Sequence, residues 1–546
     1  MKRLILSIFL VVFALPSLAQ TPKPSLANLI ETGNRKAALE QIRAGVNVNA
    51  AQPDGTRPIH WAVQKVDYEL LGALIARKAN LNVKNEFGSI PISQAAELGD
   101  ARMVKMLLDA GAEREGANPD GQTALMLAIK SGEVPVVDLL IKAGANVNTI
   151  ERFHKQTPLM WAATAPRNAG AIVKLLLARG ADVKPRAVFA DWPSQITSEP
   201  RAQYRPTGGL NALLYAARDG CSDCVDALLG AGADVNLPTP DGVTALMLAL
   251  DNDHNDVAKL LLDRGANPRV WDWWGRTALY IAIDRKQAAR AIAARPEAPA
   301  ARPSIPSRVS SMDIINALLA TDIDVNAQLA MHRPSRSGNS GRFVDPLLNV
   351  GCTPLMRAVI GDRDPKVVPN TKGGDVEVVR ALLAKGANPN INAMGLTPFL
   401  VAAGVGAGSS DKIGGTGLAL DSSAGGPVNM EVMELLLQAG ANVNDQVTGT
   451  LTYSLRVTRA PSTNEGRTAL HIAAQEGKTD LVRYFLSKGA NPDITDAGGK
   501  RAIDLLPAAA PTASAPPAAA PAAGGAVTPA IAAEIRSLLQ SAAAKK

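Results

Sequence analysis

The sequence predicts an all-α repeat solenoid of about 11–12 helix-turn-helix units joined by β-hairpins, with long loop insertions. Three observations predict it. The phrase "GQTALMLAI" at Gly121 returns as "GVTALMLAL" at Gly242, "GRTALYIAI" at Gly275 and "GRTALHIAA" at Gly466. Related phrases start at Gly55, Gly88, Lys155, Gly209, Gly351, Gly395 and Gly499; the starts at 55, 88 and 121 are 33 apart, as are 209, 242 and 275. Between the starts lies a second phrase, "LLIKAGANVN", "LLGAGADVN", "LLAKGANPN" or "LLLQAGANVN". Each phrase makes one short amphipathic helix that cannot bury its apolar face alone, so neighbouring units must stack.

The elements follow in order along the chain. Lys2 and Arg3, an apolar run over 4 to 15, and the small-x-small Ser17-Leu18-Ala19 read as a signal peptide cut after Ala19, the alternative being an uncleaved anchor or buried helix. The run is too short for a membrane span. Residues 24 to 49 supply a first helix pair that caps the array. Thr123, Thr157, Thr244, Thr277, Thr353, Thr397 and Thr468 suit helix N-caps, and Pro158, Pro354 and Pro398 suit first helical positions. The second helices end where a left-handed residue is needed, at Gly45, Gly111, Gly144, Gly180, Gly232, Gly265, Gly386, Gly440 and Gly489. Lys78 and Thr321 occupy that place in two units and are expected to strain their helix ends. After "GKRAIDLLP" an Ala/Pro-rich tract, 507 to 530, reads as a disordered linker. Residues 531 to 546 read as a C-terminal helix, either the second helix of a split last unit or a free tail.

The period, the Thr-Pro-Leu-His-like helix start and the Gly-Ala-Asp-Val-Asn-like helix end resemble the ankyrin repeat, over roughly residues 24 to 506, within a domain spanning 20 to 506. Tetratricopeptide repeats, of period 34, lack both motifs. The resemblance implies a curved array whose hairpin tips and inner helices bind another protein. It also implies structural hydrogen bonds for His60 and His471, and a place for His254 in the turn between paired helices.

Extra residues interrupt the period. Segments 185–207, 327–349 and 445–465 lengthen hairpins, and 285–310, 361–374 and 404–428 lengthen turns between paired helices. Long loops on a rigid scaffold often carry function; the other reading is a tolerated insertion of small free-energy cost.

Catalytic chemistry is thin, and the sequence is read as a non-enzyme with no cofactor and no metal. "DNDHND" at 251 to 256 lacks the glycine and glutamate of a calcium loop, and "QEGKTD" lacks the first glycine of a phosphate loop. Cys221 and Cys224 in "GCSDC" are a candidate disulfide in an oxidising compartment, the alternative being burial of Cys224 as a small hydrophobe; Cys352 is expected at an exposed position. The net charge of +7 falls to about +5 once Lys2 and Arg3 leave, and no long basic block implies nucleic acid.

The scarcest side chains point to a contact site. Aromatic residues are 4% of the chain, yet Trp271, Trp273 and Trp274, half of its six tryptophans, stand in four positions beside Gly275. The resemblance places Trp273 and Trp274 at a hairpin tip, with Trp271 just before it and Arg276 just after it. At other tips stand Glu86-Phe87, Pro119-Asp120, Pro240-Asp241 and Ala393-Met394. Trp271, Trp273, Trp274 and Arg276 are therefore expected to be a partner-binding patch, against the alternative that the rings pack onto neighbouring fingers. Trp61 and Trp161 follow the His position and are expected in the core or packed on inner helices. The expected protein is an exported, periplasmic or secreted, monomeric scaffold binding a protein partner; the alternatives are an accessory, protective or inhibitory subunit of an exported enzyme, an envelope-glycan binder, or an enzyme.

Overall fold

The structure is a computed structural model that describes residues 24–190, 207–293, 307–330, 351–361, 374–393, 395–406, 428–448, 464–507 and 527–545. The leader at 1–19 and most of the Ala/Pro tract fall outside the described residues. The chain divides into two units, Met1–Glu151 and Arg152–Lys546.

Among its described residues the first unit holds four helix pairs: α1 (Leu26–Glu31) with α2 (Arg35–Arg43), α3 (Pro58–Gln64) with α4 (Tyr68–Ala76), α5 (Pro91–Glu97) with α6 (Ala101–Asp109), and α7 (Ala124–Ser131) with α8 (Val134–Lys142). First helices pack on first helices, α1 on α3, α3 on α5 and α5 on α7.

The second unit repeats the arrangement. Its pairs are α9 (Pro158–Ala163) and α10 (Ala169–Leu177), α11 (Ala212–Asp219) and α12 (Ser222–Gly230), α13 (Ala245–Asp251) and α14 (Asn255–Asp263), then α15 (Ala278–Ala293) and α16 (Ser311–Leu319). They continue with α17 (Pro354–Ile360) and α18 (Val376–Ala384), α19 (Pro398–Ala402) and α20 (Met430–Gln438), and α21 (Ala469–Gln475) and α22 (Thr479–Ser487). Among the described residues a 3₁₀ turn, Ala502–Leu505, lies on α21, and the last helix, α23 (Pro529–Ala543), packs on α22 and on that turn.

Each of the seven threonines expected as N-caps accepts a hydrogen bond from the backbone N–H three residues on, as Thr353 does from Met356 at 3.1 Å, so those helix starts are set by side-chain caps. The second helices bury an i, i+1, i+4 triplet: Val136, Val137 and Leu140, then Ile172, Val173 and Leu176, then Val378, Val379 and Leu382, all fully buried. Burying one such side chain contributes roughly 1.5–3 kcal/mol. Phe399 of α19 meets Phe485 of α22 edge-on, ring centroids 6.1 Å apart, and carries the core from one pair to the next.

The helix-end glycines from Gly45 to Gly489 all have positive φ, as Gly144 does at 90°. Lys78 adopts φ 58° without glycine's freedom, as expected. Thr321 does not enter the left-handed region; its hydroxyl instead donates to the Leu318 carbonyl at 2.6 Å, and the expectation of strain there is corrected.

At the base of the fingers, side-chain rungs join successive repeats. The Asn267 N–H donates to the Asn236 side chain at 2.7 Å, Asn388 to Asn326 at 2.8 Å, Asn442 to Asn390 at 3.1 Å and Asn491 to Asn444 at 2.7 Å. This is the physical reason for the asparagine that ends "ANVN" and "ANPN". The rungs continue past the insertions, whose hairpins close at the base: Leu329 donates to the Cys352 carbonyl at 3.0 Å, and Val447 to that of Arg467 at 2.8 Å. In the 185–207 insertion, strand β1 (Phe189–Ala190) pairs antiparallel with β2 (Thr207–Gly208). The insertion expected from 285 starts later, because α15 runs on to Ala293. No glycine stands after Asp284, and "RKQAARAIA" is made of good helix formers.

His60 and His471 join repeats. His60 Nδ1 accepts from the Arg57 N–H at 3.1 Å, while Nε2 faces the carbonyls of Val83 and Ser89, each at 3.2 Å. His471 Nδ1 accepts from the Thr468 N–H at 3.2 Å and Nε2 faces the Lys500 carbonyl at 3.1 Å. These partners demand the neutral ring protonated on Nε2. Burial, against the backbone carbonyls, pushes both pKa values below the ordinary histidine value, and His254 is shifted down by burial too. The unfolded chain therefore binds more protons between the folded pKa and about 6.5, and stability falls as pH drops through that window. The melting temperature should be lower at pH 5.5 than at pH 7.5; a flat or rising profile would refute the assignment.

Candidate functional site: an aromatic finger

The turn Asp272-Trp273-Trp274-Gly275 is built from its backbone outward. The Asp272 carboxylate accepts the N–H groups of Trp274 at 3.0 Å and of Arg276 at 2.9 Å, which fixes the tip. Gly275 has φ 78°, and a Cβ there would lie 2.6 Å from the Ala330 nitrogen. Trp271 pairs across the hairpin with Thr277. The finger is tied to both neighbours, because the Trp273 N–H donates to the Asp241 carbonyl at 2.9 Å and the Trp274 carbonyl accepts from Ala330 at 2.9 Å.

The four residues expected to form one patch divide into two pairs. Trp271 and Trp273 are exposed, at 68% and 43%. Trp274 is buried, at 5%. The Arg276 side chain is 11% exposed and bonds Asp272 at 2.7 Å and Asp251 at 3.1 Å, with its guanidinium 5.3 Å from the centre of the Trp274 ring. Burial disfavours its charge, but Asp251 and Asp272 outweigh that and hold the guanidinium above its ordinary pKa. Trp274 and Arg276 are therefore corrected from surface to interior.

Trp274 precedes the finger glycine and bonds Ala330 of the next finger through its carbonyl, while Arg276 follows that glycine. At several fingers the residue after the glycine is buried. Val243, Cys352 and Leu396 stand at the same place and are buried, so the expected exposure of Cys352 is also corrected. Trp61 and Trp161 are half-buried on α3 and α9, where Trp61 donates to the Gln52 side chain at 2.6 Å.

The exposed rings have company on neighbouring tips of the second unit. Phe153, Val188 and Phe189 are 60%, 49% and 52% exposed. Val188 N–H donates to the His154 carbonyl at 2.7 Å, and Gly209, in the same hairpin, lies against Pro240 of the following finger. Order along the tips is thus Phe153, Val188 with Phe189, Pro240, and Trp273 with Trp271.

Cys221 and Cys224 are placed with bonded sulfurs and Cα atoms 5.2 Å apart. Cys221 holds the N-cap position of α12, and Cys224 fills the first apolar slot of its buried triplet. Among the described residues, no group of three His, Cys, Asp or Glu side chains could hold a metal ion, and no helix is long and apolar enough to cross a membrane.

One set of residues went unnoticed in the sequence. Arg357, 4% exposed, bonds Asp284 at 2.6 Å and the Gly361 carbonyl at 2.7 Å. Next to Asp284, Lys286 bonds Asp375 at 2.6 Å, and Arg285 bonds Asp253. The signal was present in "LMRAV", where Arg357 occupies the column that holds Leu127, Leu248, Ile281, Val401 and Ile472 in other repeats.

The family model described as ankyrin repeats (three copies) matches residues 59–151, 92–187 and 207–299, and that described as ankyrin repeat matches 350–393 and 465–497. Among solved structures, the crystal structure of the human ASB11 ankyrin repeat domain matches at 24% identity and a TM-score of 0.36, covering 45% of this chain and 100% of that one. No curated protein matches the chain.

Proposed function

Because the chain belongs to the ankyrin repeat family, we propose that it is an exported, non-catalytic scaffold that binds a protein partner through the finger tips of its second unit. Ankyrin repeats are protein–protein interaction modules, and the fold is typically a non-catalytic scaffold. The observation that carries the finer reading is the exposure of Trp271 and Trp273 on a finger held rigid by Asp272, Arg276 and Asp251. An exposed apolar cluster on a fixed support is uncommon without a contact to make, and a large ring presented without loss of conformational freedom is an effective anchor. Export is supported by the leader-like first 19 residues, and the Cys221–Cys224 pairing fits an oxidising compartment. On this reading the mature chain begins at Gln20, which N-terminal sequencing of protein secreted with its own leader would check.

The test is the double substitution Trp271→Ser, Trp273→Ser. Neither ring is core, so unfolding free energy should change by no more than about 0.5 kcal/mol per site. Capture of the partner from an envelope extract should weaken more than about tenfold, or 1.4 kcal/mol. Lost stability with unchanged capture would make the two tryptophans structural.

A further inference from the structure

Resting on that reading, we infer that the partner presents an acidic segment carrying apolar side chains, and that this segment lies along the finger tips from Phe153 to Trp271. The surface is longer than the tryptophan finger. Hydrogen bonds and close approaches link the tips in series, so Phe153, Val188, Phe189, Trp273 and Trp271 belong to one rigid edge and not to separate mobile loops. All five are exposed.

Among the described residues, the exposed charges at these tips have one sign. Around Phe153 stand Arg152 and Lys155, both exposed. The acidic residues of the same tips are turned inward: Asp241 and Asp272 are buried, 9% and 2% exposed, Asp241 bonding Thr239 at 2.6 Å and Asp272 bonding Arg276. A docking segment therefore meets cations at one end and indole rings at the other, with no exposed carboxylate among the described tip residues. Complementary charge would speed its encounter and fix its direction, while the aromatic anchors would supply most of the residence time. Because the apolar groups project from a ridge, the occupant must bring its own shallow apolar pockets or side chains beside its carboxylates.

The test uses the mature chain, residues 20–546, as bait for a randomised-peptide display library, followed by titration of the enriched peptides as synthetic, labelled molecules. The expected peptides are net negative and contain aromatic or branched aliphatic residues. Their affinity should fall more than tenfold with Arg152→Glu, Lys155→Glu, and more than tenfold with Trp271→Ser, Trp273→Ser, the melting temperature staying unchanged in both variants. It should also weaken as salt is raised. No enrichment, enrichment of neutral or basic peptides, or peptides indifferent to the charge reversal would overturn the inference. Binding to phosphatidylglycerol vesicles that both variants abolish, with no peptide enriched, would replace it with a lipid surface. If the tryptophan variant alone loses binding, the proposed function stands and the acidic partner falls.

Discussion

Replacing Asp284 by alanine is expected to destabilise the second unit by about 3–5 kcal/mol, among the largest effects of any single side chain in it. Arg357 is 4% exposed and Asp284 5%, and their 2.6 Å contact joins α15 to α17. The alanine would remove from the interior the carboxylate that Arg357 bonds there. The double replacement Asp284→Leu, Arg357→Leu should recover most of the loss, since apolar pairs of similar volume often match a buried ion pair, and leucine already fills the column of Arg357 at Leu127 and Leu248. Urea unfolding of Asp284→Leu, of Arg357→Leu and of the double variant measures this as a coupling energy. Additive losses would show that the pair is not coupled.

A loss of similar size is expected from Arg276→Ala. Asp272 is 2% exposed, and burial raises its pKa even against Arg276. Without the guanidinium, the carboxylate keeps only backbone donors, and the cost of an uncompensated buried charge is about 3–5 kcal/mol. The finger that presents Trp271 and Trp273 would loosen at the same time. This variant should thus lose both stability and partner capture, whereas the tryptophan-to-serine variant loses capture alone. A thermal melt of each separates support from contact. An Arg276→Ala protein that melts like the parent would return Arg276 to the surface.

These two residues also show what the sequence made legible. Period, caps and helix ends were readable because they depend on local chemistry: a Thr hydroxyl for a free N–H, a glycine where φ is positive. The exposure of Trp271 and Trp273 followed from the turn pattern for the same reason. The burial of Trp274, Arg276 and Cys352 did not, because it is decided by how closely the adjacent finger lies, a distance that no spacing within one repeat contains. Arg357 was the opposite case. Its partner Asp284 is 73 residues away, but a charge standing in an apolar column is visible once the repeats are aligned vertically. The length of α15 is not set by the period: its residues after Asp284 carry no stop signal, so the helix runs on to Ala293.

The asparagine rungs have an evolutionary consequence. The partner of Asn267 is 31 positions back, that of Asn491 is 47, that of Asn442 is 52 and that of Asn388 is 62, yet all four bonds fall between 2.7 and 3.1 Å. The array keeps count in rungs and is indifferent to how many residues lie between them. Closing a loop twice as long adds only about 0.6 kcal/mol, so new sequence can be spliced between rungs at little thermodynamic cost and inherit a fixed mounting. The inserted segments are thus free to diverge like interchangeable cassettes, while the frame that holds them stays constant.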